Sequence, residues 1–135
     1  LLMPQGVALK IQLPVLPAII QADLHRLTQV ITNLINNAAK FTTQGYILIK
    51  YDYTQDKRWI QISVTDTGKG IPADKQAQVF ERFNKLDEFA QGTGLGLAIC
   101  QIIIEHFGGY ITLESKEGEG STFIVTLPYT PGLSV

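Results

Sequence analysis

The stretch Asn33-Leu34-Ile35-Asn36-Asn37-Ala38-Ala39-Lys40-Phe41-Thr42 places three asparagines within five residues of an otherwise helical pattern. Leu24, Leu27, Ile31, Leu34, Ala38 and Phe41 recur at steps of three or four. That spacing predicts an amphipathic helix of about five turns. Asp23 stands where its N-cap belongs, and Thr42-Thr43-Gln44-Gly45 breaks it. Gln29, Asn33, Asn36, Asn37 and Lys40 form a polar stripe on the side opposite the apolar face.

Outward from this helix the chain reads as groups of strands with helices between them. Before it, Val7, Leu9, Ile11 and Leu13 alternate with polar or small residues as a half-buried strand does, and Pro14 and Pro17 end the run. After it, Tyr46–Tyr53 and Trp59–Thr65 are rich in β-formers, and the polar turn between them predicts a hairpin. A short helix is expected over Lys75–Phe83, then a loop of mixed polarity over Asn84–Gln91, then a helix from Leu95 to Phe107 stopped by Gly108-Gly109. Two closing strands, Tyr110–Ser115 and Ser121–Leu127, flank the turn Lys116-Glu117-Gly118-Glu119-Gly120. Grouped strands with helices between the groups predict an α+β fold. It is a two-layer α/β sandwich, with a mixed sheet of about five strands covered by about three helices.

Bulk properties narrow the function classes. The chain has 135 residues, 45% of them hydrophobic and 17% charged, with a mean hydropathy of +0.12. One globular domain over residues 1–135 is expected, with neither internal repeats nor a disordered composition. A net charge of −1 gives no basic footprint for nucleic acid or an anionic membrane. No apolar run reaches the ~18 residues of a membrane span. The lone Cys100 cannot form an internal disulfide, which fits a reducing compartment. Leu1-Leu2-Met3-Pro4 reads as the interior of a longer protein.

Three constellations carry chemistry. The asparagine stripe admits a bland reading as solvated surface. Asparagine, however, costs up to about 0.7 kcal/mol per interior helix position against alanine. A stripe chosen for solubility would draw on Glu, Lys or Arg instead. Amide oxygens at fixed places suit a phosphate-bound Mg2+, which takes few protein ligands, and Lys40 would reach the same anion.

Asp66-Thr67-Gly68-Lys69-Gly70-Ile71-Pro72 follows a strand directly. It reads either as a turn or as a carboxylate that accepts from an exocyclic amine, with glycines letting backbone approach a flat ring. Lys69 reads as solvated surface. Gly92-Thr93-Gly94-Leu95-Gly96-Leu97 opens the last helix and would aim backbone N–H groups at an anion, or else allow close helix packing. It lacks the Gly-Lys-Ser/Thr of a P-loop, and Leu97 or Ile99 takes the last glycine of a dinucleotide fingerprint.

Taken in order, with Phe80-Glu81-Arg82-Phe83 between the glycine clusters, these motifs resemble the catalytic ATP-binding domain of sensor histidine kinases. That branch shares a superfamily with gyrase and heat-shock chaperone ATPases. Asn33–Thr42 looks like the N box, Asp66–Ile71 the first glycine box, Val79–Phe83 the F box and Gly92–Leu97 the second glycine box. The tail Gly108-Gly109-Tyr110-Ile111, Glu114-Ser115, Gly118–Phe123 and Leu127-Pro128 is similar to the family's closing strands, so the resemblance covers nearly the whole chain.

The resemblance implies a Bergerat-type fold that binds Mg–ATP and transfers the γ-phosphoryl group to a histidine. Asn37 would coordinate the Mg2+, with Asn33 nearby. Lys40 would contact phosphate and Phe41 would lie against the nucleotide. Asp66 would accept from the adenine amine, supported by Gly68, Gly70 and Ile71. Gly92, Thr93, Gly94, Leu95, Gly96 and Leu97 would hold the phosphates, and Thr122 would sit near the adenine. Asn84–Gln91 would be a lid over the nucleotide, with Lys85 its cation for the γ-phosphate. Asn33, Lys40 and Lys85 form the implied catalytic set. At Asn33, gyrase-like relatives carry a glutamate that activates water. A neutral amide cannot take that proton, so fast hydrolysis is not expected.

Neither His25 nor His106 has the setting of the family's acceptor, so each reads as a surface or cap residue. The acceptor histidine would lie on a separate dimerisation hairpin that this sequence lacks. A response regulator receiver domain would be the downstream partner, and the domain itself would be monomeric. It would lie on the cytoplasmic side of a membrane-anchored sensor, without touching membrane or nucleic acid. A serine kinase of the anti-sigma type and a nucleotide sensor without transfer are the competing readings.

Overall fold

The computed structural model describes residues 6–12, 24–54, 56, 58–80 and 95–128. They form strands β1 (Val7–Gln12), β2 (Gly45–Tyr53), β3 (Trp59–Asp66), β4 (Tyr110–Lys116) and β5 (Gly120–Pro128). The helices are α1 (Leu24–Phe41), α2 (Ala73–Gln76) and α3 (Leu95–His106). The strands make one mixed sheet in the order β1-β2-β3-β5-β4. β1 and β2 are parallel, with α1 as the crossover that a parallel pair requires, and every other pairing is antiparallel.

The periodicities explain this arrangement. Along α1 the residues Val30, Leu34 and Ala38 are buried against the sheet. In α3 the buried face is Leu97, Cys100, Ile103 and Ile104. The covered face of the sheet follows from register. Ile60 pairs with Leu127, Ile62 with Val125 and Val64 with Phe123, and β4 adds Ile111 and Leu113 opposite Val125 and Phe123. These join one hydrophobic cluster with the buried faces of α1 and α3. The other sheet face is polar, with Gln61, Ser63, Thr65, Thr122 and Thr126 in adjacent positions.

Helix α3 ends as its glycines predict, with the Gly109 N–H bonded to the Ile104 carbonyl at 3.0 Å. The short helix departs from its expected bounds. It starts at Ala73, just after Pro72, and spans Ala73–Gln76 rather than Lys75–Phe83. Gln76 spends its side chain on neighbouring backbone, and the chain continues as turns to Phe80. Phe80 packs edge-on against Phe123, ring centroids 6.0 Å apart, so it is a core aromatic. Asp23, Phe83 and the loop 84–91 lie outside the described residues. No described helix is long and apolar enough to cross a membrane.

Candidate functional site

At one end of the helix-covered sheet face, the apolar rows give way to a polar one. Ile47 pairs with Asp66, Asp66 with Ser121, and Ser121 with Ser115, so four strands contribute one residue each. Asp66 is only 3% exposed. Its Oδ1 accepts the Gly68 N–H at 2.9 Å, and the Ser121 N–H also donates to the carboxylate. Burial pushes its pKa up, and the two N–H donors pull partly against that. Among the described residues no cation pairs with it. A buried carboxylate so held keeps acceptor capacity for a neutral amine donor.

The loop after Asp66 is fixed at nearly every backbone group. The Lys69 N–H reaches the Phe41 carbonyl at 3.4 Å, and the Lys69 carbonyl accepts from the Gly118 N–H at 2.7 Å. The Ile71 N–H donates to Ser115 Oγ at 2.9 Å. Gln76 Nε2 donates to the carbonyls of Ile71 and Ser115, both at 2.9 Å. The glycines allow this folding-in. A Cβ on Gly68 would strike the Phe41 carbonyl, and one on Gly70, at φ +71°, would strike the Lys116 carbonyl. Backbone therefore meets backbone at both positions.

The asparagine stripe of α1 is not a solvated face opposite the core. Asn33, Asn36 and Asn37 are half-buried, and only Lys40 is exposed. Asn33 sits in the seam with α3, where its Nδ2 donates to the Cys100 sulfur at 3.6 Å. The Asn37 side chain has no hydrogen-bond partner among the described residues, so its amide oxygen is open to a ligand. Phe41 is half-buried, and the Lys69 ammonium lies 4.9 Å from its ring centroid, so Lys69 is more than plain surface. The Thr42 hydroxyl is buried without a partner among the described residues.

Asp66, Gly68, Gly70 and Ile71 are thus gathered beside the end of α1, which carries Asn37, Lys40 and Phe41. Gly96 and Leu97 lie in the first turn of α3, where Leu95 begins the helix. Leu97 is 4% exposed, so its side chain belongs to the core and only its backbone is free to face an anion. Thr122 stands at this same end, next to Ser121, but on the other face of the sheet. Its hydroxyl bonds Thr65 Oγ1 at 3.0 Å on the opposite sheet face, because successive strand residues alternate sides. Ser121 stands beside Asp66 instead. The alternation of Phe123, Val125 and Leu127, extended back two residues, points to it. Lys85, Gly92, Thr93 and Gly94 lie outside the described residues.

A buried acceptor beside backbone N–H groups and Lys40 suits a nucleotide. No cluster of three or more His, Cys, Asp or Glu that could hold a metal occurs among the described residues. An Mg2+ at Asn37 would draw most of its ligands from phosphate and water. His25 and His106 are both exposed.

Residues 22–131 match the family described as histidine kinase-, DNA gyrase B-, and HSP90-like ATPase. The chain is 44% identical over 115 residues to the circadian input-output histidine kinase CikA of Synechococcus elongatus, covering 82% of this chain and 15% of that protein. It is 46% identical over 111 residues to the sensor protein SrrB of Staphylococcus aureus, covering 78% of this chain and 19% of that one. Among solved structures, full-length ShkA in complex with AMPPNP superposes with a TM-score of 0.84 at 31% identity, over 96% of this chain and 27% of that one. The catalytic domain of the histidine kinase ThkA gives 0.80 at 34% identity, over 93% and 81%. The chain therefore spans under a fifth of the two curated relatives.

Proposed function

The chain belongs to the histidine kinase-, DNA gyrase B- and HSP90-like ATPases. From that membership and the site's geometry, we propose that it binds Mg–ATP and donates the γ-phosphoryl group to a histidine on a separate dimerisation domain. A response regulator receiver domain then takes the phosphoryl group onward. The parent protein is a sensor kinase anchored in a membrane, with this domain on the cytoplasmic side.

The observation that carries the reading is Asp66, a buried carboxylate held by two backbone N–H donors with no cation beside it among the described residues. It accepts from the exocyclic amine of adenine, while the ring lies against Phe41. Asn37 offers a neutral oxygen at the phosphate end, one helical turn before Phe41. Lys40 and Lys85 supply positive charge there, and the N-terminal backbone of α3, with Gly92–Leu97, supplies N–H donors. Bound Mg2+ would neutralise charge on the phosphates. Asn33 cannot abstract a proton from water, so the site orients the phosphoryl group for a side chain rather than for hydrolysis.

Melting the domain with and without saturating MgATP tests this. At a hundredfold excess over Kd a ligand adds about 2.7 kcal/mol, on the order of ten degrees for a domain of this size. A rise that shrinks in Asp66→Asn supports the site, and no rise at millimolar MgATP rejects it.

A further inference from the structure

Ser115 carries a full hydrogen-bond complement. Its Oγ accepts the Ile71 N–H at 2.9 Å, contacts the Gly120 carbonyl at 2.9 Å and contacts Ser121 Oγ at 2.8 Å. A hydroxyl has one proton and two lone pairs. A carbonyl can only accept, so the contact with buried Gly120 requires the Ser115 proton. Ile71 fills one lone pair. The remaining one must then receive the proton of Ser121. That assignment satisfies all three contacts. The reverse, with Ser115 donating to Ser121, strips the Gly120 carbonyl of this donor.

The consequence falls on Ser121, which stands directly across the ladder from Asp66 on the same face, 7% exposed. With its proton committed to Ser115 and no other side-chain partner among the described residues, its oxygen is left as an acceptor. Asp66, once ionised, is also acceptor-only. We propose that Ser115 is a specificity-determining residue: by holding the Ser121 proton, it leaves the Asp66–Ser121 pair able to accept from a base and unable to donate to it. Such a surface suits the amino group of adenine. It repels a base with a carbonyl oxygen at that position, as in hypoxanthine. Ser115 would not touch the nucleotide itself, so it acts as a positioning residue. The proposal rests on the nucleotide-site reading above.

The test is calorimetric binding of MgADP and of Mg-inosine diphosphate to the intact 135-residue chain, its Ser115→Ala variant and its Ser115→Thr variant. In Ser115→Ala the Ser121 proton is released and can turn to the base. The preference for ADP over inosine diphosphate should narrow by about fivefold to tenfold, the worth of one hydrogen bond. Ser115→Thr keeps the hydroxyl in a residue well suited to a strand and should restore the preference. If Ser115→Ala weakens both ligands in parallel with the ratio unchanged, Ser115 only braces the loop and the proposal is overturned. If the unaltered chain binds neither ligand, the nucleotide site itself is rejected.

Discussion

The Asn33 amide donates to the buried Cys100 thiol at 3.6 Å and so ties the asparagine stripe of α1 to the helix that opens at the second glycine cluster. Cys100 is 0% exposed, its sulfur also lies 3.9 Å from the Val30 carbonyl, and burial pushes its pKa up. Both changes suppress thiolate chemistry. The folded chain should therefore leave its single cysteine unlabelled by a disulfide reagent at pH 8 and react fully on denaturation. Cys100→Ala should cost about 1–2 kcal/mol in urea unfolding, from lost packing and a lost partner for Asn33. A double-mutant cycle with Asn33→Ala should show coupling of about 0.5 kcal/mol or more. Strict additivity would mean that the two side chains do not interact.

Gly70 offers a sharper stability test. It combines a φ of +71° with a Cβ position already taken by the Lys116 carbonyl. Alanine there faces backbone strain and a clash with backbone that cannot rotate away. Gly70→Ala should lower stability by about 1–3 kcal/mol, read as a fall in the urea midpoint at unchanged slope. Exposed Lys69→Ala next to it, losing its stacking on Phe41, should cost well under half as much.

Much of the fold is legible because the core follows strict periods. The limits of α1 at Phe41 and of α3 near His106 coincide with Thr42-Thr43 and with Gly108-Gly109, where the apolar spacing stops. The strands extend no more than a residue or so beyond their apolar alternation. Three features needed tertiary information. Helix α2 stops at Gln76, whose amide turns to Ile71 and Ser115, and nothing in the local sequence announces that use. The choice between Ser121 and Thr122 depends on strand parity, since two hydroxyl residues stand side by side and only one shares a face with Asp66. The role of Gly68 and Gly70 was likewise hidden, because the carbonyls they accommodate belong to Phe41 and Lys116, distant in sequence.

Asp66 predicts a pH dependence. Its native pKa lies above the ordinary carboxylate value of about 3.9, chiefly through burial. Between that value and the native one, the folded state holds a proton that the unfolded state has lost. Stability from this group is thus present at low pH, falls as pH rises through the window and is level above it. Asp66→Asn removes the titration. The difference in urea stability between the variant and the unaltered chain should shift in the variant's favour between pH 4 and pH 7. A difference that stays flat with pH would mean that the carboxyl is not shifted.

Asn37 separates folding from function most cleanly. Its side chain is half-buried and has no partner among the described residues, so truncation breaks no internal hydrogen bond there. Alanine is also the better helix former, by up to about 0.7 kcal/mol. Asn37→Ala should therefore be as stable as the unaltered chain or slightly more so. Its loss should appear only where Mg2+ and phosphate meet. With an acceptor-histidine domain supplied in trans, transfer of labelled γ-phosphate should disappear. The extra affinity that Mg2+ gives to ADP, measured against ADP in chelator, should vanish, while ADP still binds through Asp66 and Phe41. A variant that keeps its Mg2+ dependence and still phosphorylates its partner would move the metal away from Asn37. Loss of ADP binding with and without Mg2+ alike would place Asn37 against the nucleoside instead.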